Sequence, residues 1–171
     1  MIGVWLLKLK MMKTYVSGDL SMAIEYAKKI LVKNEKNISA LWTMAECSRL
    51  EGNIKKAISY GQKAYLIDPK HFDTLQLLSE VYFDKKDYKH AYEYTCRAIS
   101  VSEEIDEELQ PYIEKIKQGI SSSKVTFAPV RAVQQAMDIE QNNVREWIAW
   151  ALQFKAWYEF SQLPGKSEET H

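Results

Sequence analysis

Few side chains in this 171-residue sequence could carry out chemistry, and they are scattered. The three histidines are His71, His90 and the terminal His171. The sequence contains no Gly-rich phosphate-binding loop, no HExxH or GxSxG motif and no acidic metal-binding loop. Isolated histidines are usually ordinary surface or hydrogen-bonded residues. We therefore predict no catalytic residue, no metal site and no cofactor, and we expect that the protein is not an enzyme.

The two cysteines, Cys47 and Cys96, are also expected to be chemically inert. They lie far apart in the sequence, and neither has a CxxC or CxxH neighbour. This spacing indicates neither a disulfide framework nor a zinc site. Both cysteines are predicted to be small buried residues, which is how free cysteine usually behaves.

The composition is typical of a globular, helical protein. Hydrophobic residues make up 46% of the chain and aromatic residues 12%, which excludes a disordered protein. Six Gly and four Pro are few for a turn-rich all-β fold. The 23 basic and 23 acidic residues exclude a globally basic nucleic-acid-binding protein. The apolar stretch at the start is too short for a signal sequence and no segment could span a bilayer, so a cytoplasmic location is predicted.

Charge is distributed unevenly along the chain. Residues 1–71 contain 12 basic and 6 acidic residues (+6), and residues 72–171 contain 11 and 17 (−6). This asymmetry suits head-to-tail self-association or a partner with a matching asymmetry. Ordinary solvated surface charge is the simpler interpretation.

A repeat of 34 residues organises the first part of the chain. Equivalent positions hold the same residue in three copies: Ala23, Ala57 and Ala91, and Tyr26, Tyr60 and Tyr94. Basic residues also recur, at Lys29, Lys63 and Arg97. Each copy predicts two amphipathic helices, since apolar residues recur at spacings of three and four on both sides of a turn. Gly18 and Gly52 in these turns are expected to adopt the left-handed conformation.

This helix–turn–helix period resembles the tetratricopeptide repeat. The resemblance implies an all-α fold, an α-solenoid in which residues 1–104 form three repeats at about 4–37, 38–71 and 72–104. Three departures from the family pattern concern packing. Met11 stands at a position where the family prefers a small residue, and Lys86 replaces the turn glycine of the third copy. Ala27, Gly61 and Thr95 replace a usual large side chain, which predicts looser packing between repeats, or gaps filled by the tyrosines.

The resemblance also implies a binding site, because peptide ligands of this family lie in a concave groove lined by the first helix of each repeat. The groove residues carried over are Lys8, Leu9, Met12, Tyr15, Trp42, Thr43, Glu46, Arg49, Gln76, Leu77, Glu80 and Phe83. One subset of the family holds the terminal carboxylate of chaperone tails with Lys, Asn and Arg at these places, and here only Lys8 fits. Trp42, Leu77 and Phe83 instead favour an apolar or amphipathic segment.

The rest of the chain predicts further helices. Residues 105–120 are expected to form a capping helix with Leu109, Ile113 and Ile116 facing inward, since a solenoid needs a polar-backed end. Residues 125–163 form an aromatic-rich helical extension, in which Pro129 opens a helix reaching about residue 141. Asn143 has the character of an N-cap for a second helix, at about 144–162. Residues 164–171 are predicted to be a flexible tail.

Aromatic residues cover one broad face of that last helix: Trp147, Trp150, Phe154, Trp157 and Tyr158. The face could pack on the solenoid, or fill its groove and so occlude it. It could instead form a second interface for self-association or a partner, since Trp and Tyr are enriched at binding hot spots. Shallow membrane insertion is the third interpretation, and the mixed charge of Glu146, Lys155 and Glu159 on the opposite face disfavours it.

The sequence thus predicts a non-catalytic protein-interaction adaptor that binds a protein or peptide partner in the groove, without nucleic acid and without expected membrane contact. Two alternatives stay open. One is a secretion or assembly chaperone, because three repeats in a chain of this size resemble the helical chaperones of type III secretion. The other is a self-assembling scaffold, a homo-oligomer formed through the C-terminal helix.

Overall fold

The computed structural model describes residues 3–105, 109–122 and 144–164. Within these ranges all regular elements are α-helices, which confirms the predicted all-α fold. In chain order the helices are α1 (Val4–Val16), α2 (Leu20–Lys33), α3 (Ile38–Leu50), α4 (Ile54–Ile67), α5 (Phe72–Asp84), α6 (Tyr88–Ile105), α7 (Leu109–Ser122) and α8 (Val144–Ser161).

The first six helices form three stacked helix pairs. The pairs are α1 with α2, α3 with α4, and α5 with α6, and each pair packs along its length. The second helix of each pair also packs against the first helix of the next, α2 on α3 and α4 on α5. The predicted solenoid of helical repeats is therefore confirmed.

Polar side chains at equivalent positions fix where these helices begin. Asp19 and Asn53 accept hydrogen bonds from backbone N–H groups three residues on, at 3.0 and 3.2 Å. Asn37 caps α3 in the same way at 3.0 Å. His71 caps α5 by accepting the Thr74 N–H on its Nδ1 at 3.3 Å. Each cap satisfies a backbone donor that the helix itself leaves unpaired. The ring of His71 thus has a structural role.

The turns inside the repeats use the left-handed conformation at one position. Gly18 and Gly52 have φ of 80° and 76° there, as predicted. Lys86, which takes the place of this glycine in the third repeat, has φ of 62°. Because its Cβ crowds the backbone in this region, the third turn is strained where the first two are not.

The repeated tyrosines hold the repeated basic residues on the surface of the second helices. In each repeat the cation three residues on lies over the ring, at 5.4, 5.5 and 5.3 Å from the centroid: Lys29 over Tyr26, Lys63 over Tyr60 and Arg97 over Tyr94. Residues three apart lie on the same face of a helix, so the spacing alone permits the contact. The sequence shows both residue types, and the structure explains why they recur together.

Packing at Gly61 corrects the expectation of loose contacts between repeats. A Cβ atom built on Gly61 would lie 2.7 Å from Cδ2 of Leu78, which is fully buried. Ala27 and Thr95, the equivalent residues, are also fully buried. The small residue on α4 therefore admits a large one from α5, and the contact is tight.

We expect Gly61→Val to lower the free energy of unfolding by about 1–3 kcal/mol, because its branched side chain would collide with Leu78. Gly119 is the matched control, a helical glycine in α7 with no atom within 4 Å of an added Cβ. Gly119→Val should change stability by less than about 0.5 kcal/mol. Urea denaturation of the two variants measures the difference, and equal effects would contradict the tight contact.

The last helix, α8, stands in the place of a fourth first helix. Phe72, at the start of α5, contacts Trp147 with ring centroids 5.6 Å apart, and Phe83, at its end, contacts Phe154 at 5.3 Å. Helix α8 therefore runs in the same direction as α5, and it packs on α6 as α5 packs on α4. Arg49, the residue equivalent to Phe83 in the second repeat, makes the corresponding contact to α5.

Helix α7 lies beside α8 instead of continuing the stack in phase. It packs more extensively on α8 than on α6. Of the three residues expected to face inward, Ile113 is buried in the cluster that contains Trp147 and Phe154, and the side chains of the other two lie outside those described. That α7 caps the solenoid stays a prediction. The predicted helix at residues 129–141 and nearly all of the predicted tail lie outside the described residues.

Candidate protein-interaction surface

The first helices contact one another along one side of the stack, with Trp42 at the centre. Its ring meets the ring of Tyr15 edge to face, with centroids 5.5 Å apart. Its Nε1 donates a hydrogen bond to the backbone carbonyl of Asp73 at 3.1 Å. The indole is therefore fixed between α1 and α5. It stays half-buried, as do Lys8 and Gln76 at the equivalent positions of the other repeats.

Beside Trp42, Arg49 joins three carboxylates from two helices. Its guanidinium donates to both oxygens of Glu46, Nη2 to Oε1 at 2.7 Å and Nε to Oε2 at 2.8 Å. It also donates through Nη1 to Asp84 Oδ2 at 3.2 Å and lies 3.5 Å from Glu80 Oε2. Two-pronged pairing of this kind matches the planar geometry of both groups. We call these four residues the Arg49 network.

Most of the Arg49 network is removed from water. The side chains of Arg49, Glu46 and Glu80 expose 14%, 10% and 8% of their surface, whereas Asp84 is more open. Burial alone lowers the pKa of Arg49, but hydrogen bonding to Glu46 and the charges of Glu46, Glu80 and Asp84 raise it above its ordinary value. The guanidinium stays charged, and the network carries two more negative than positive charges. Gln76 extends it by donating to Glu80 Oε1 at 3.1 Å.

Trp42, Lys8 and Gln76 together with the Arg49 network form what we call the first-helix surface. It corresponds to the groove lining that the family resemblance implies. Trp42 supplies a fixed aromatic anchor, and Lys8 and Asp84 supply charges of opposite sign near its edges. Such a mixture suits a segment with both apolar and polar side chains.

Several predicted groove residues do not line an open surface. Thr43 and Leu77 are buried, and Leu77 packs with Ala45 of α3 and Ala57 of α4. The prediction is wrong for these two residues, because their side of the helix faces the preceding repeat. Tyr15 is also buried, against Trp42. Leu9 and Met12 are exposed on α1.

Phe83 is covered by α8. Its ring contacts Trp150 at 5.1 Å and Phe154 at 5.3 Å, both edge to face. Helix α8 thereby closes one end of the predicted groove, and the half-buried Trp42 remains accessible. Substitution of Phe83 would therefore disturb the interior of the protein.

The aromatic face of α8 packs on the chain itself. Trp147, Phe154 and Trp157 are buried in one cluster with residues of α5, α6 and α7. Trp150 and Tyr158 are half-buried, and Tyr158 stacks on Tyr92 of α6 at 4.7 Å. The first of the three interpretations of this face, packing on the repeats, is the one that the structure shows. The three buried rings offer no surface to a second interface.

The two cysteines differ in exposure. Cys47 is buried, and burial raises the pKa of its thiol to about 12. Cys96 is only half-buried, so the prediction that both are buried is wrong for this residue, which lies at the border between α6 and α8. Burial also raises the pKa of Cys96. Both thiols are therefore protonated at neutral pH and poor nucleophiles.

The other groups capable of chemistry have ordinary partners. His90 lies 2.9 Å from Asp87 through its Nδ1, and this hydrogen bond lowers the pKa of Asp87. Among the residues that the structure describes, no group of three or more His, Cys, Asp or Glu residues could hold a metal ion. None of the helices in the described part of the chain is long and apolar enough to span a membrane.

Two exposed residues escaped the sequence reasoning. Trp5 and Val16 extend the exposed row of Leu9 and Met12 along α1. The spacing of these four residues, at steps of four, three and four, is the signal that could have identified one continuous face. It was missed because the family resemblance assigned Leu9 and Met12 to the groove.

Comparison with known proteins agrees with this architecture. The family model described as tetratricopeptide repeat matches residues 72–105, which contain α5 and α6. The two preceding helix pairs repeat the same packing and the same residues at a spacing of 34. A search among curated proteins finds no match to the chain. Tetratricopeptide repeats are protein–protein interaction modules and are typically non-catalytic. The match therefore identifies the third helix pair as a tetratricopeptide repeat, and the structure places this pair in a solenoid of helical repeats.

Proposed function

We propose that this protein is a non-catalytic adaptor that binds an apolar or amphipathic segment of another protein on the first-helix surface. The observation that carries the proposal is the position of Trp42. Its indole is held in one orientation by Tyr15 and by the Asp73 carbonyl, yet it stays half-buried. A fixed, partly exposed tryptophan is a common anchor of protein interfaces, because it offers a large contact area with little loss of side-chain freedom.

The charges around Trp42 suggest what the segment carries beside its apolar residue. The Arg49 network has an excess of negative charge and ends in the more exposed carboxylate of Asp84. Lys8 lies on the opposite side, on α1. We propose a segment with a basic residue toward α5 and an acidic residue toward α1, flanking an apolar side chain on Trp42. We also propose a cytoplasmic location. We propose a protein as the partner and not a nucleic acid, because the net charge of the chain is zero.

The chaperone alternative would use the same first-helix surface and stays a prediction. The scaffold alternative has less support, because the aromatic face of α8 that would mediate assembly is buried in the chain.

Selection of binders from a displayed library of random peptides tests the proposal. We expect enriched peptides with an apolar residue between charges, and we expect Trp42→Ala to weaken their binding by about tenfold or more. Because Trp42→Ala also removes packing against Tyr15, Gln76→Arg serves as a second variant. It places a large side chain on the exposed part of the surface.

Lys89→Ala is the control, since Lys89 is exposed on α6, a second helix. Circular dichroism checks that each variant is folded. Selected peptides that bind wild type, Trp42→Ala and Gln76→Arg equally well would refute the proposal.

A further inference from the structure

One face of α1 exposes a continuous row of large apolar side chains, Trp5, Leu9, Met12 and Val16. They expose 67%, 57%, 42% and 40% of their surface, respectively. The steps of four, three and four residues place them in one stripe along the helix. The opposite face of α1 carries Leu7, Met11 and Tyr15, which are buried in the first repeat. We call the exposed row the α1 stripe.

The residues equivalent to Leu9 in the other two repeats show what covers this position elsewhere in the stack. Leu9 is equivalent to Thr43 and Leu77, whose exposures are 0% and 2%. Leu77 is covered by Ala45 and Ala57 of the preceding pair, α3 and α4. Leu9 therefore lies on the side of α1 that corresponds to the internal junctions, whereas Met12 is equivalent to Glu46 and Glu80 of the first-helix surface. In the part of the chain that the structure describes, Leu9 exposes 57% of its surface.

The charge beside the α1 stripe restricts what can cover it. Lys8 and Lys13 lie on its two sides, and the helix contains Lys10 as well but no acidic residue. Two copies placed stripe to stripe would bring these lysines together without a partner for them, which disfavours self-association. An apolar helix bordered by Glu or Asp would bury the stripe and pair with both lysines.

The other end of the chain does not supply the complement. The exposed residues described on α7 and α8 are mainly polar and include Glu114, Lys115, Glu146 and Gln153. A head-to-tail contact would set the apolar α1 stripe against this polar surface. The basic first part of the chain therefore favours an acidic partner at α1. A second copy of the chain does not fit this description, because the exposed residues described at its other end are mainly polar.

From these observations we propose that the α1 stripe docks an amphipathic helix of a partner protein, with an apolar row bordered by acidic residues. The stripe covers the twelve residues from Trp5 to Val16, a rise of about 17 Å along the axis, which fits one helix of about three turns. This site shares Lys8 with the first-helix surface but includes neither Trp42 nor the Arg49 network, and it does not depend on the proposed function. The equivalence of Leu9 with residues buried at the internal junctions favours a helix over a lipid surface, because a lipid surface would need no match to helical spacing.

The test uses two synthetic helical peptides with leucines at heptad spacing, one flanked by Glu and one by Lys. We expect saturable binding of the Glu-flanked peptide, measured by fluorescence anisotropy, and much weaker binding of the Lys-flanked one. Trp5→Gln combined with Leu9→Gln should weaken binding by about tenfold or more. Lys8→Glu with Lys13→Glu should reverse the preference between the two peptides.

Val32→Gln is the matched control, because Val32 is an apolar residue exposed on α2 and outside the stripe. It should bind like wild type. Equal binding of the two peptides, or full binding by the Trp5→Gln/Leu9→Gln variant, would overturn the proposal. The proposal would also be overturned if the wild type formed dimers, or co-sedimented with phosphatidylserine vesicles, and the same double variant abolished that behaviour. Either result would assign the stripe to another occupant.

Discussion

Replacement of Arg49 by alanine is expected to lower the free energy of unfolding by about 3–5 kcal/mol, the range for breaking a buried ion pair. The guanidinium is shared by Glu46, Glu80 and Asp84, and the first two are buried. Without it, two nearby carboxylates would remain in a poorly hydrated place and repel each other. Urea denaturation followed by circular dichroism measures the loss.

Arg97→Ala is the control for loss of an arginine as such. Arg97 is exposed and lies over the Tyr94 ring, so we expect a change of no more than about 1 kcal/mol. A triple variant, Arg49→Met with Glu46→Gln and Glu80→Gln, should recover much of the stability because it removes the unpaired charges together. An Arg49→Ala effect as small as that of Arg97→Ala would show that the carboxylates are well hydrated.

Truncation of Phe154 should be comparably severe, with a loss of about 3–5 kcal/mol. Its ring is fully buried and contacts Phe83, Trp150 and Trp157. Phe154→Ala would open a cavity between α8 and the third repeat that the aromatic neighbours cannot close. The same denaturation experiment measures this loss.

The neighbouring Gln153 is exposed on the same helix, so Gln153→Ala should change stability by less than about 0.5 kcal/mol. Sedimentation velocity adds a second readout. If Phe154→Ala changed the mass of the protein in solution and left its stability intact, α8 would be an association surface, contrary to its packing here.

The repeats were predictable from the sequence because the same contacts recur every 34 residues. The position of Ala57 must hold a small residue in each repeat because two helices approach closely there, and the turn at Gly52 requires a positive φ. Such positions leave the same residue type in each copy. The tyrosine–cation pairs are also local, at a spacing of three, so both partners are visible in the sequence.

The candidate surface was predictable only in part, because it depends on rotation about each first helix. Trp42 and Thr43 are adjacent in sequence, yet one contributes to the surface and the other faces the preceding repeat. The family pattern assigned both to the groove. The contact of α8 with Phe83 joins residues far apart in the chain, after the 34-residue period has ended, so no local pattern indicated it.

The most direct test of the central claim is photo-crosslinking of a selected peptide to the folded protein. A benzoylphenylalanine introduced at Asp73 lies beside Trp42, because the side chain of Asp73 is exposed and its backbone carbonyl accepts the hydrogen bond of the indole; the same group at Lys89 lies on a second helix. We predict that the peptide crosslinks from position 73 and that excess unlabelled peptide prevents it, with no such crosslink from position 89. Specific crosslinking from position 89 and none from position 73 would contradict binding on the first-helix surface.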